Sequence, residues 1–215
     1  MAPITFHGLR FIDPMPTIHP QDLHPRDAYR LLISIVVPRP IAWVSSLGAD
    51  GSLNLAPYSF FNAVAGDPPT VMFSAGQRQG RAKDTLRNVR ETGEFVLNLV
   101  DEALAEKMNL TSGEYAYEVN EFERAGLTPL AATVVKPPRV AEAAITMECT
   151  LTQIVPVQDT HYTLVLGQVR VFHLRDGLLR ANGAVDAALL KPIGRLSGDE
   201  YARLGEVFAM RRPAG

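Results

Sequence analysis

Strand-like alternation of apolar and polar residues dominates this chain. Glu94 to Val100 (EFVLNLV) alternates as a half-buried strand does, and Ala144 to Val155 and Tyr162 to Leu174 do so over longer runs joined by Gln158-Asp159-Thr160-His161. Ile41 to Leu47 is rich in β-branched and aromatic residues and ends in the turn Gly48-Ala49-Asp50-Gly51. Ser52 to Leu55 returns from that turn into Ala56-Pro57-Tyr58-Ser59-Phe60-Phe61-Asn62, and Val71 to Ala75 predicts another buried strand.

Helical spacing appears in short stretches between these runs. Pro25 suits the first turn of a helix continuing through Leu32, and Pro38 and Pro40 prevent it from going further. Leu86 and Val89 share a helical face within Arg81 to Glu91, with Gly93 as the stop. Asp101 can cap a helix through Met108, Asp186 to Leu190 predicts a short helix, and Glu200 to Met210 predicts a helix in the tail. Pro137-Pro138 confines Val134 to Val140 to a sheet edge. Asp176-Gly177 and Asn182-Gly183 are tight-turn pairs. The polar stretch Gly113 to Glu123, with Tyr115 and Tyr117, has the character of a lid or a subunit contact. Met1 to Leu23 carries four prolines without periodicity and predicts an extended arm. With no internal repeat and no linker, the chain predicts a single domain, mainly β with flanking helices, a closed or split barrel. Its parts are an arm over 1–24, the barrel over 25–200 and a helical tail over 201–215.

Composition narrows the chemistry. Of 215 residues, 47% are hydrophobic and 20% charged, as in a globular protein with a substantial core. The net charge of −2 argues against nucleic-acid binding, which needs a basic surplus. One cysteine, Cys149, excludes an internal disulfide and multi-cysteine metal sites, and the histidines lack carboxylates at ligand spacing, so no metal is expected. No apolar run approaches the ~18 residues of a membrane helix, and no secretory signal is evident, so a cytoplasmic location is expected. There is no GxGxxG after a strand, no phosphate-binding P-loop and no local Ser-His-Asp or Cys-His arrangement.

The residues that could carry chemistry gather between Pro38 and Thr85. Ser45 and Ser46 offer hydroxyls, and Arg78, Arg81 and Lys83 bring cations to a helix start at Asp84-Thr85, a combination suited to a phosphate. Consecutive strand residues point to opposite faces, so at most one of the two serines can face a ligand directly. Trp43 points the same way as Ser45. Ser59 and Asn62 could serve a ring edge that needs both donors and acceptors, or simply fix a turn.

Laid side by side, the motifs Arg39-Pro40-Ile41-Ala42-Trp43-Val44-Ser45-Ser46, Asn54-Leu55-Ala56-Pro57-Tyr58-Ser59-Phe60-Phe61-Asn62, Asp67-Pro68-Pro69 and Lys83-Asp84-Thr85-Leu86-Arg87-Asn88 resemble the flavin reductase-like proteins with an FMN-binding split β-barrel, a Greek-key-like fold. The resemblance extends more weakly from about Pro25 to Tyr201. It implies a flavin site drawn from Arg39, Trp43, Val44, Ser45, Ser46, Ala56, Pro57, Tyr58, Ser59, Asn62, Arg81, Lys83, Asp84 and Thr85, with His161 near the flavin or nicotinamide and Trp43 close to the isoalloxazine ring. The implied cofactor is FMN, with FAD as the alternative, and NAD(P)H as co-substrate passing hydride from nicotinamide C4 to flavin N5. No side chain is expected to act as a base. The family also implies a homodimer and a partner monooxygenase. The competing readings are a flavoredoxin-like electron carrier and a flavin-dependent oxidoreductase of a small organic substrate.

Overall fold

Proline positions the first element. In the computed structural model, which describes residues 16–78 and 80–213, α1 (Pro25–Ile35) begins with Pro25 where no amide is needed, and the His24 ring accepts the Arg26 amide at 3.3 Å. Most of the proposed arm, residues 1–15, lies outside the described residues. Chain order then runs β1 (Ala42–Leu47), β2 (Leu53–Tyr58), β3 (Phe61–Gly66), β4 (Pro69–Arg78) and β5 (Arg81–Ala82). Next come α2 (Asp84–Thr92), β6 (Glu94–Leu99), α3 (Ala105–Leu110), α4 (Glu121–Arg124), β7 (Pro129–Leu130) and β8 (Arg139–Val140). The long strands β9 (Ile145–Pro156) and β10 (Tyr162–Leu174) precede α5 (Ala187–Leu190), β11 (Ile193–Arg195) and β12 (Tyr201–Arg203). Gly93 ends α2 in the left-handed conformation at φ 73°, which glycine adopts without strain.

The main sheet has the order β2-β1-β6-β9-β10-β4-β3, antiparallel throughout, with β5 paired to β4. Only Ser59 and Phe60 separate β2 from β3, although these strands stand at opposite ends of that order. Three Cα steps span at most ~11 Å, so the sheet must curl until its ends meet. β2 and β3 do not pair, and the barrel is split along that seam.

Strand alternation sorts the core into two layers. Ala42, Val44 and Tyr58 point into the barrel with Phe73, Phe95, Leu97 and Val165, and Leu86 and Val89 of α2 join that cluster. Ile41, Trp43 and Leu55, the alternate residues, face outward into a second cluster with Leu104, Met108, Phe122 and Val140. The same alternation that builds the barrel therefore turns Trp43 toward α3 and α4, where its Nε1 donates to Thr111 Oγ1 at 2.8 Å. In β10, Gly167 lies at a register shift against β9, and the Phe95 ring occupies the space a side chain there would need.

A buried carboxylate pins the segment beside β9. Glu148 is fully buried and accepts the amides of Thr133 and Val134, each at 2.6 Å, and of Val135 at 3.2 Å, with His173 Nε2 at 2.6 Å.

The expected tail helix is not formed. β12 pairs with β11, and residues 204–213 have no regular structure. Leu204, Val207, Phe208 and Met210 are exposed, so no surface takes up an apolar stripe, and a helix this short without packing is marginal in water. Within Val134 to Val140 only Arg139–Val140 is strand, paired with β7, as the two prolines dictate.

Candidate functional site

The first turn of α2 forms one end of a cleft. Lys83 is its N-cap residue, and its side chain makes no capping hydrogen bond, so the leading amides of the helix stand at the positive end of the helix dipole. Arg81, Lys83, Arg87 and Arg90 line the cleft beside it. The Arg87 guanidinium lies 3.6 Å from the centre of the Tyr117 ring, and its Nη2 sits 3.2 Å from Asp84 Oδ1 without the angle of a hydrogen bond. Lys83 Nζ stands 5.5 Å from the centre of the Tyr58 ring.

Behind this end lies a buried polar relay. Asn54 Nδ2 donates to Thr85 Oγ1 at 2.8 Å and to Ser46 Oγ at 3.1 Å, and Ser46 Oγ also accepts Asn88 Nδ2 at 3.2 Å. Thr85 and Asn54 face the cleft, while Ser46 holds them from behind. The Tyr58 hydroxyl is buried and has no hydrogen-bond partner among the described residues. Burial pushes its pKa well up, so it stays a neutral donor. Glu121 of α4 also borders the cleft and accepts the Leu55 amide at 3.0 Å, satisfying an outward-facing donor of the edge strand β2. Burial raises the Glu121 pKa, the Leu55 amide opposes that rise, and the neighbouring Asp84 charge adds to it.

The strap from Gly113 to Tyr117 forms a side wall. Tyr117 donates to Asp50 Oδ1 at 3.0 Å and packs on Gly48, where a side chain would collide with its hydroxyl. Tyr115 donates to the Leu110 carbonyl at 2.7 Å and lies under the Arg124 guanidinium. At the other end, Arg195 stacks over Tyr201 at 4.5 Å, and Tyr201 donates to Asn109 Oδ1 at 3.2 Å. Arg39 closes that end as a structural clasp, donating to the carbonyls of Ile33, Val36 and Leu196 at 2.5, 2.8 and 2.6 Å and to Ser59 Oγ at 3.5 Å.

Of the residues expected at a site, Arg39, Ala56, Pro57, Tyr58, Ser59, Arg81, Lys83, Asp84 and Thr85 come together along this cleft. Trp43, Val44, Ser45 and Ser46 are fully buried behind its wall. Ser45 donates to the Pro138 carbonyl at 2.5 Å, so neither serine hydroxyl faces the cleft. Trp43 is one side chain removed from it, through Thr111, which does line it. Asn62, on the edge strand β3, and His161, at the hairpin before β10, are exposed and lie away from it. The side chain of Arg78 lies outside what is described. Sequence reasoning missed Arg87 and Glu121 as cleft residues, and gave the stretch carrying Tyr115 and Tyr117 only as a lid or a subunit contact. Arg87 was legible, since it shares the first helical turn with Lys83. The strap and α4 reach the cleft only through the fold.

The cleft measures about 1230 Å³, above the ~300–1,000 Å³ usual for small-molecule pockets. Its donor set suits a phosphate-bearing ligand: the leading amides of α2 and the cations Arg81, Lys83, Arg87 and Arg90 at one end, with Thr85 beside them. A flavin mononucleotide, with one phosphate on a flexible polar chain, fits that chemistry.

Comparison with known proteins gives one family match and three similar structures. The flavin reductase like domain family matches residues 34–189. Nitrilotriacetate monooxygenase component B from Bacillus cereus superposes with a TM-score of 0.89 at 40% identity, covering 92% of this chain and 100% of that one. The 2-nitrobenzoate 2-nitroreductase NbaA of Pseudomonas fluorescens gives 0.84 at 33% identity, covering 92% and 96%. A protein with a split barrel domain from Shewanella frigidimarina shares the fold at a TM-score of 0.83 and 19% identity, covering 96% and 100%.

Proposed function

The chain belongs to the flavin reductase-like family, and from that premise we propose that it binds FMN in the cleft at the start of α2 and acts as an NAD(P)H:flavin oxidoreductase. The observation that carries this reading is the cation-lined N-terminus of α2, with the N-cap Lys83 making no side-chain cap and Thr85 held beside it by Asn54. Lys83, Arg81 and the leading amides of α2 hold the phosphate. Thr85 is fixed by Asn54 and presents its face to the same end of the cleft. A bound flavin supplies the hydride-accepting ring, and the protein supplies position and electrostatics.

Asn62 and His161 stand outside the cleft of one chain, and the Tyr29, Leu32, Ile35 and Val36 face of α1 is exposed and apolar. A homodimer that buries this face is the proposed assembly, since large unpartnered apolar patches are rare on monomers. The likeness to a monooxygenase component B supports a partner oxygenase that takes up the reduced flavin. The likeness to a nitroreductase supports a second reading, direct reduction of a small organic substrate.

One assay separates the two. NADH and NADPH oxidation are followed with FMN, FAD or riboflavin added, and again with a nitroaromatic in place of excess flavin. Oxidation that depends on added FMN supports the flavin reductase. Turnover only with the organic acceptor supports the second reading. The absence of flavin binding under any condition overturns both.

A further inference from the structure

A carboxyl beside a phosphate cradle is an electrostatic anomaly. Glu121 lies only 8% exposed on the wall of the cleft, which the cations Arg81, Lys83, Arg87 and Arg90 also line. Its Oε2 is fixed by the Leu55 amide, so the group cannot swing away without leaving a donor of β2 unsatisfied. The charged and titratable groups sharing this part of the cleft are Arg81, Lys83, Asp84, Arg87, Arg90 and Glu91 around α2, Tyr58 from β2, and Glu114, Tyr115 and Tyr117 from the strap, with Glu123 and Arg124 on its own helix. Asp84 is drawn to Arg87 at 3.2 Å, and Tyr58 stays neutral. Burial sets Glu121 apart among these carboxyls: it pushes the pKa up, the Leu55 amide opposes that rise, and the Asp84 charge adds to it.

We propose that Glu121 is a specificity-determining residue that makes flavin phosphate binding depend on pH: protonated, it admits the phosphate to the cradle, and ionised, it repels it. The inference rests on the flavin reading above and deepens it by assigning a regulating group to the same site. The direction follows from burial, which favours the neutral carboxyl, and from Asp84, which opposes a second negative charge nearby. Binding is therefore tight at low pH and weakens as pH rises through the raised Glu121 value. Riboflavin has the same ring and chain without the phosphate and escapes the effect.

The test compares FMN with riboflavin on the wild type and on Glu121→Gln from about pH 5 to about pH 9, reading quenching of flavin fluorescence. Gln keeps an oxygen for the Leu55 amide and cannot ionise. The FMN phosphate itself gains charge near pH ~6 in both proteins, so the difference between them isolates Glu121. The expected result is a ratio of FMN to riboflavin affinity that falls roughly tenfold with rising pH in the wild type relative to the variant. Superimposable profiles overturn the proposal. Should that variant fail to fold, Glu121→Leu, which also cannot ionise, takes its place in the same comparison, and the same two outcomes decide. Failure of both flavins to bind at any pH overturns the flavin reading, and this inference with it.

Discussion

Glu148 shows how much one side chain can hold. Its carboxylate, buried beside three backbone donors and His173, has its pKa drawn down to about 2: burial alone would raise it, but the Thr133 and Val134 amides and His173 outweigh that. A folded value below the ordinary ~4.3 means its stabilisation is fully present above the ordinary value and is lost as pH falls toward the folded one. Glu148→Gln is expected to cost about 3 kcal/mol at neutral pH. Thermal melts should show the difference from wild type shrinking between about pH 4.5 and about pH 2, and a constant difference across that window would contradict the assignment. Thr85→Val should lower stability by about 1–3 kcal/mol, because it leaves one of the two Asn54 amide hydrogens unpaired, the other still going to Ser46, and it should also weaken FMN binding. Urea melts of the variant without flavin check the first effect. Trp43 is the only tryptophan. Being one side chain behind the cleft, its emission should drop when FMN binds, and unchanged emission on removing the flavin would place the ligand elsewhere.

At the scale of elements, strand parity explains both what the sequence made legible and what it hid. The alternation of β1, β6, β9 and β10 was readable, as was α2 from Leu86, Val89 and Gly93. Parity also set Trp43 and Ser45 on one face, but not which face. That depended on α3 and α4 packing outside the barrel, a tertiary choice no local pattern records. The tail failed for the same reason: an apolar spacing predicts a helix only if something covers it, and nothing among the described residues covers Phe208 or Met210. Gly167 tests the packing of the long strands. Gly167→Ala places a methyl into the Phe95 ring and should cost about 1–3 kcal/mol. A variant as stable as wild type in a urea melt would show that Phe95 moves freely.

For the whole molecule, the curled sheet brings together residues far apart in sequence: the start of α2, the end of β2, the strap and the β11–β12 hairpin. Lys83-Asp84-Thr85 was legible as a candidate anion site from its own chemistry, and Ala56 to Ser59 as candidates from the family motif that holds them. Glu121 and Tyr117 were not, because a carboxyl and a phenol in a polar stretch mean little until the fold sets them beside a helix N-terminus. The proposed homodimer also belongs to this scale. Sedimentation at micromolar concentration should give twice the 23.5 kDa chain mass, and a monomer that retains flavin would remove the claim.

The central claim, that the start of α2 holds a flavin phosphate, is tested most directly with Lys83→Ala. FMN and riboflavin are titrated into wild type and variant at fixed salt. A charge-assisted hydrogen bond contributes ~1.5–3 kcal/mol, so FMN affinity should fall roughly 10- to 150-fold while riboflavin affinity barely moves. Equal losses for both flavins, or none for either, would contradict the account and place the phosphate at another part of the cleft.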